Sequence, residues 1–149
     1  MRKFLFITAV ALLASSAAAQ LPGLRKRGPA QPTQLMLQGI DALRSDFAAQ
    51  SGGTMVYFGA QSVGLGAPAK AVLTAQAAWL RRHPEVLVRI EGYGDSGDTR
   101  DHALAVGARR AEAARDHLLL LGVPAAQVST TSWGKERGGL PRAITILVR

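Results

Sequence analysis

The chain has 149 residues, 48% hydrophobic and 19% charged, enough for one packed domain with a short appendage and too apolar for wholesale disorder. It contains no cysteine, so within this sequence a disulfide framework, a thiolate zinc site, a cysteine nucleophile and an acylated N-terminal cysteine are excluded. The formal charge of +8 suits acidic partners without naming one.

Residues 1–19, MRKFLFITAVALLASSAAA, read as an export signal. Arg2 and Lys3 give a cationic start, Phe4 to Leu13 an apolar run, and Ala17-Ala18-Ala19 a small-residue cleavage site before Gln20. The run is shorter than the ~20 apolar residues of a spanning helix. Cleavage puts the mature protein outside the cytoplasm. Without a cysteine near the cleavage site it is expected to carry no lipid anchor. Losing Arg2 and Lys3 leaves 16 basic against 10 acidic residues, a net +6. Residues 20–32, QLPGLRKRGPAQP, read as a flexible basic linker around Arg25-Lys26-Arg27. Residues 33–53 read as a helix with a glycine-rich exit. Thr33 is placed to cap it, and Met36, Ile40, Leu43 and Phe47 form one apolar stripe. Ser51-Gly52-Gly53 ends it. The stripe is expected to pack on the domain that follows.

Residues 54–149 change pattern. Thr54 to Phe58 is a short β-rich run, and Pro68 to Arg82 a helix with proline in its first turn. Val86 to Glu91 is a strand with Leu87 and Ile90 as buried candidates. Glycines 92, 94 and 97 follow, and then a helical stretch runs to Leu121, stopped by Gly122 and Pro124. Gln127 to Trp133 and Ala143 to Val148 are two more strands. The order β-α-β-α-β-β predicts an α/β (α+β) two-layer sandwich with both helices on one face of a mixed sheet. The last strand is expected to run antiparallel because the connection before it is short.

Two motifs are weighed and set aside. Gly92-Tyr93-Gly94-Asp95-Ser96-Gly97 fits the spacing G-x-G-x-x-G of a dinucleotide loop. The next strand, however, ends Ser132-Trp133-Gly134, with no acid to hold a ribose. Gly94-Asp95-Ser96-Gly97 echoes a serine-protease nucleophile segment. Yet His83, His102 and His117 offer no evident base with an orienting acid, and they lack metal-ligand spacing. Trp79 and Trp133 read as packing residues rather than sugar platforms.

The motifs that carry a functional reading lie together. Gly92-Tyr93-Gly94-Asp95 is followed, after residues 96–103, by Leu104-Ala105-Val106-Gly107-Ala108-Arg109-Arg110-Ala111. This resembles the G-H-x-D, Y-N-x-x-L-[SG]-x-R-R-A pattern of the OmpA-like peptidoglycan-binding domain family. Val56-Tyr57-Phe58 is similar to that family's first strand, and Val72 to Leu80 to its first helix. Ser132-Trp133-Gly134-Lys135-Glu136-Arg137 is similar to its S-[YW]-G-x-x-R segment.

The resemblance implies an OmpA-like fold and a non-enzymatic role with no cofactor and no metal. The implied partner is peptidoglycan, through the diamino acid of its stem peptide, a diaminopimelate-type residue with an ammonium and a carboxylate on one carbon. The module would lie in the periplasm, associated with the outer membrane, and tether the wall to the outer-membrane region. Outer-membrane or other envelope proteins are further candidate partners, and no nucleic acid is expected. Asp95 falls where the family places its aspartate and would accept the ammonium. Arg110 falls on the family arginine and would clamp the carboxylate in bidentate fashion. Backbone N–H groups of the glycine loop would add donors. Tyr93, Gly94 and Arg142 are candidate secondary contacts.

A helix unbroken from Thr99 would put Arg110 about 16 Å along its axis, at ~1.5 Å per residue. A break with a restart at Gly107 is therefore expected, bringing Arg110 into a first helical turn. The sequence departs from the family at several points. Tyr93 replaces its histidine, and His102-Ala103 its tyrosine-asparagine. Leu140-Pro141-Arg142 stands for its asparagine-arginine-arginine after a shortened loop. The alternative reading is a structural or interaction protein on the same fold with an eroded wall site. A nucleotide-binding enzyme is a minor alternative.

Overall fold

A computed structural model of the chain describes residues 32–148. The expected export signal, and the linker up to residue 31, lie outside the described residues, as do the side chains of Thr33 and Met36. Helix α1 spans Pro32–Gln50, so Thr33 falls inside the helix rather than at its cap; Pro32 occupies the first helical position, where its missing N–H removes no intrahelical bond. Phe47 is fully buried, and Ile40 and Leu43 pack against the core. Phe47 meets Trp79 edge to face, with centroids 5.1 Å apart. The indole N–H of Trp79 donates to Asp46 at 2.7 Å, which ties α1 to the next helix.

Strand β1 (Met55–Tyr57) is followed by α2 (Ala67–Arg82), which begins after Gly66 with Pro68 in its first turn. Its buried face is Ala69, Leu73, Gln76, Ala77, Trp79 and Leu80. Gln76 is inside because its amide is satisfied: it donates to the Gly53 carbonyl at 3.1 Å and accepts from the Thr145 hydroxyl at 2.8 Å. Strand β2 (Val88–Tyr93) leads to α3 (Arg100–Leu120), then β3 (Val128–Gly134) and β4 (Arg142–Leu147). The mixed α/β architecture expected from the sequence is present. Leu87 is a correction: it precedes β2 and is 39% exposed, whereas Ile90 is buried.

The sheet order is β1-β4-β2-β3. Strands β2 and β3 are parallel, and β4 is antiparallel to both β1 and β2. The last strand is thus antiparallel as expected, but it does not pair with β3, the strand before it. The β1-α2-β2 connection leaves a slot one strand wide, and β4 fills it with hydrogen bonds on both sides. Side chains alternate strictly: Val56, Ile90, Ala143 and Leu147 face the helices and are buried.

Helix α3 corrects the expected break. It is continuous through Gly107, with the Thr99 hydroxyl accepting from the His102 N–H at its start. At its end Gly122, with φ of 89°, closes a Schellman turn: Val123 N–H donates to Leu118 O and Gly122 N–H to Leu119 O. Gly107 is there for contact rather than for a break. A Cβ on Gly107 would lie 2.5 Å from Ser132 Oγ, and a Cβ on Gly92 would lie 1.9 Å from the Gly107 carbonyl oxygen. A second close contact follows one turn toward the helix start, where a Cβ on Gly94 would lie 2.3 Å from Ala103 O. β2 and its exit loop therefore run along α3 toward the helix start.

Candidate functional site

The C-terminal ends of the parallel strands carry three loops that meet: residues 58–66, 94–99 and 135–141. Asp95 lies in the second of these and Arg110 three residues beyond Gly107. The long Arg110 side chain leans toward the helix N-terminus, as helical side chains do, and so reaches the loop without any helix break. Its Nη2 is 2.9 Å from Asp95 Oδ2.

The pair differs from the open zwitterion cradle expected from the sequence, because the two charges are bound directly to each other. Arg110 is fully buried, with its guanidinium near the Phe58 ring. Nε donates to Ser62 O at 2.8 Å, Nη1 to Tyr93 O at 2.8 Å, and Nη2 to Gly59 O at 3.3 Å as well as to Asp95. No exposed edge of this guanidinium is left to clamp a ligand carboxylate. Burial of the charge is tolerated because three carbonyls and a carboxylate surround it. Asp95 is the exposed member, its side chain 14% accessible. Oδ2 is used by Arg110, while Oδ1 makes no hydrogen bond to a described residue.

Asp98 ties the loops together. Gln61 Nε2 donates to its Oδ1 at 3.2 Å, His102 Nδ1 stands 2.9 Å from its Oδ2, and Lys135 Nζ donates to its main-chain oxygen at 2.6 Å. The hydrogen bond from His102, then that from Gln61, holds the Asp98 carboxyl below the usual carboxylate range. Gly139 presses on Ser96, where a Cβ would come within 2.7 Å of Ser96 Cα. Gln61 itself has a φ of 56°, in the left-handed region.

The secondary candidates are placed differently. Tyr93 serves Arg110 through its carbonyl, while its phenol points to the opposite sheet face and donates to Glu91 at 3.0 Å. Burial, and then the Glu91 carboxylate, push its pKa up. Arg142 stacks over the Tyr93 ring at 4.8 Å and donates to Arg137 O, so it too belongs to that opposite face. Alternation along β2 and β4 explains both: Tyr93 and Arg142 share parity with Glu91 and not with Gly92. Gly94 is buried against Ala103, with its N–H donating to Gly134 O at 2.9 Å. Gly59, Ser62, Gln61, Asp98 and Lys135 were not found by sequence reasoning. Gly59 and Ser62 act through main-chain oxygens, which leave no signature in residue type.

A cleft of about 360 Å³ adjoins this end, lined by Arg100, Leu104, Ser132, Trp133, Lys135 and Glu136 among others. Arg100 and Glu136 pair across it at 2.9 Å. The dinucleotide reading fails on geometry, because Gly92 and Gly94 press on α3 and give no phosphate a free approach. Ser96 makes no hydrogen bond to a histidine, and no cluster of metal-ligating side chains occurs among the described residues.

Helices on one face of a four-stranded mixed sheet, with loops gathered around a buried arginine–aspartate pair, define an OmpA-like domain. The OmpA-like domain of FopA1 from Francisella tularensis matches with a TM-score of 0.56 over 64% of this chain and 74% of that one; at 18% identity this is a likeness of fold. The crystal structure of the peptidoglycan-associated lipoprotein from Burkholderia pseudomallei matches with a TM-score of 0.62 and 33% identity, over 64% of this chain and 91% of that one. In sequence, the peptidoglycan-associated lipoprotein of Agrobacterium fabrum is 37% identical over 133 residues, which are 85% of this chain and 75% of that protein. The OmpA family profile matches residues 57–141, and the chain belongs to the OmpA family.

These relatives also correct one expectation. They carry the name lipoprotein, which overturns the reading of an envelope protein without a lipid anchor. That reading rested on the absence of cysteine, which speaks only for these 149 residues.

Proposed function

We propose that this protein is a non-enzymatic module of the cell envelope that binds peptidoglycan through the diamino acid of the stem peptide. One observation carries the reading: a buried arginine fastens Asp95 by one oxygen and leaves the other unpartnered at the surface, in a domain of this family. Asp95 Oδ1 accepts the ligand ammonium in a charge-assisted hydrogen bond. Arg110 is a positioning residue that holds the carboxylate aimed outward. The ligand carboxylate is received by the N–H groups of Ser96 and Gly97, which have no backbone partner. Ala103, in place of the asparagine of the family pattern, adds no amide there. Export by the first 19 residues, periplasmic residence near the outer membrane, and contact with other envelope proteins complete the proposal.

The test is co-sedimentation with purified diaminopimelate-type peptidoglycan. Wild-type protein should pellet with the wall, and free diaminopimelate should release it. Asp95→Ala should stay in the supernatant while keeping its melting cooperativity. A wild-type protein that does not pellet, or that moderate salt alone removes whatever residue stands at 95, sinks the proposal in favour of an interaction protein with an eroded site.

A further inference from the structure

Strand alternation leaves one face of the sheet without a helix among the described residues. One half of that face is apolar. Met55 and Tyr57 are 43% and 60% exposed, and Ile144 and Ile146 are half-buried beside them. Leu87 and Val148, linked by the Val148 N–H to Leu87 O bond of 2.8 Å, extend the strip and are also exposed. The other half is charged. Arg89 and Arg137 flank a single buried carboxylate, Glu91, and Arg142 lies over the Tyr93 ring on the same face. Arg89 Nη2 is 3.1 Å from Glu91 Oε1, and Arg137 Nη1 is 3.9 Å from its Oε2. Three cations against one anion leave an excess of two positive charges on this patch.

Its donors are also underused. Arg89 Nε, Arg142 Nε and Trp133 Nε1 are covered and have no acceptor. A covered donor without a partner is costly, and a side chain as exposed as that of Arg89 can turn to find one. We infer that this helix-free face is a docking surface for a partner-protein segment that presents apolar side chains flanked by carboxylates. The apolar strip takes the hydrophobic side chains, and the arginines take the carboxylates in fork geometry. Stacking favours a protein over a lipid surface: Arg137 lies 3.8 Å over Trp133 and Arg142 4.8 Å over Tyr93, so the charges are held near the sheet plane. Fixed charges at set spacing match side chains on a packed surface. A second copy of this chain would set two like-charged patches together, which is repulsive.

The experiment uses the full chain and two labelled 18-residue amphipathic peptides, one with leucines flanked by glutamates and one with lysines in their place, followed by fluorescence polarisation. The glutamate peptide should bind and the lysine peptide should not. Binding should weaken about tenfold in Met55→Ser/Tyr57→Ser and in Arg142→Gln, which takes a cation from the patch and leaves Arg89 and Arg137 on the buried Glu91, as expected for interface anchors. It should be unchanged in Lys70→Ala/Arg81→Ala, which removes two exposed cations from α2, and all variants should melt near the wild type. No binding, equal binding of both peptides, or equal weakening in the Lys70/Arg81 variant overturns the inference. So does capture by phosphatidylglycerol vesicles that the same face variants abolish while the glutamate peptide stays unbound, since the face would then meet a membrane.

Discussion

Arg110 and Asp95 form one ion pair with unequal members. Arg110 is fully enclosed and serves three carbonyls as well as the carboxylate, whereas Asp95 is partly open to water. Arg110→Ala leaves the oxygens of Gly59, Ser62 and Tyr93 without their donor and Asp95 without its counter-ion. It should cost about 3–5 kcal/mol in urea unfolding, the range for breaking a buried pair from one side. Asp95→Asn keeps an oxygen facing the guanidinium and should cost less, yet it should lose wall binding as fully as Asp95→Ala. The family motif placed both residues in the sequence, and the structure does bring them together. Their direct bond was not legible, because two of the oxygens that bury Arg110 come from residues about fifty positions earlier and belong to the main chain.

Between elements, the decisive contact is that of α3 with β2. A Cβ at Gly92 would fall 1.9 Å from a helix carbonyl, and no flexible side chain can move aside there. Gly92→Ala should therefore push α3 off the sheet and cost at least about 1–3 kcal/mol, the range for overpacking. Gly97→Ala, with nothing within 4 Å, should stay within about 0.5 kcal/mol of wild type by the same thermal or urea measurement. Sequence reasoning treated Gly107 as a helix interruption, since a mid-helix glycine costs about 1 kcal/mol relative to alanine. The cost is accepted because the strand must lie against the helix there, a requirement that local propensity does not carry. Strand alternation and helix stops, in contrast, are local. Gly122 and Pro124 marked the end of α3 and Ile90 was a buried candidate from residue type alone, whereas Leu87, chosen with it, is exposed. The slot filled by β4 was not visible, because chain order does not say which strands become neighbours.

Across the molecule, the loops around Asp95 and the anchor of α1 sit at opposite ends of the sheet: α1 reaches the start of β1 and the end of β4, where Arg44 donates to Leu147 O. That separation lets stability and binding be tested apart. The Asp46 carboxylate accepts from Trp79 Nε1 and from Gln50 Nε2, each at 2.7 Å. The Trp79 bond first, and the Gln50 bond second, hold its pKa below the usual value for aspartate. A folded-state pKa below the unfolded one adds stability that is present above the unfolded value, about 3.9, and is lost as the pH falls through the folded value. Asp46→Asn should therefore melt at a lower temperature than wild type at pH 7. The gap should narrow as the pH drops below about 4, where the wild-type carboxyl also takes a proton. At pH 7 and well below either melting temperature, the variant should pellet with peptidoglycan as wild type does, because among the described residues no hydrogen bond or ion pair joins the Asp95 loop to α1. A gap that keeps its size from pH 7 to pH 2 would show that the carboxylate charge is not what holds α1 to Trp79; loss of wall binding would show that the two ends of the sheet are coupled.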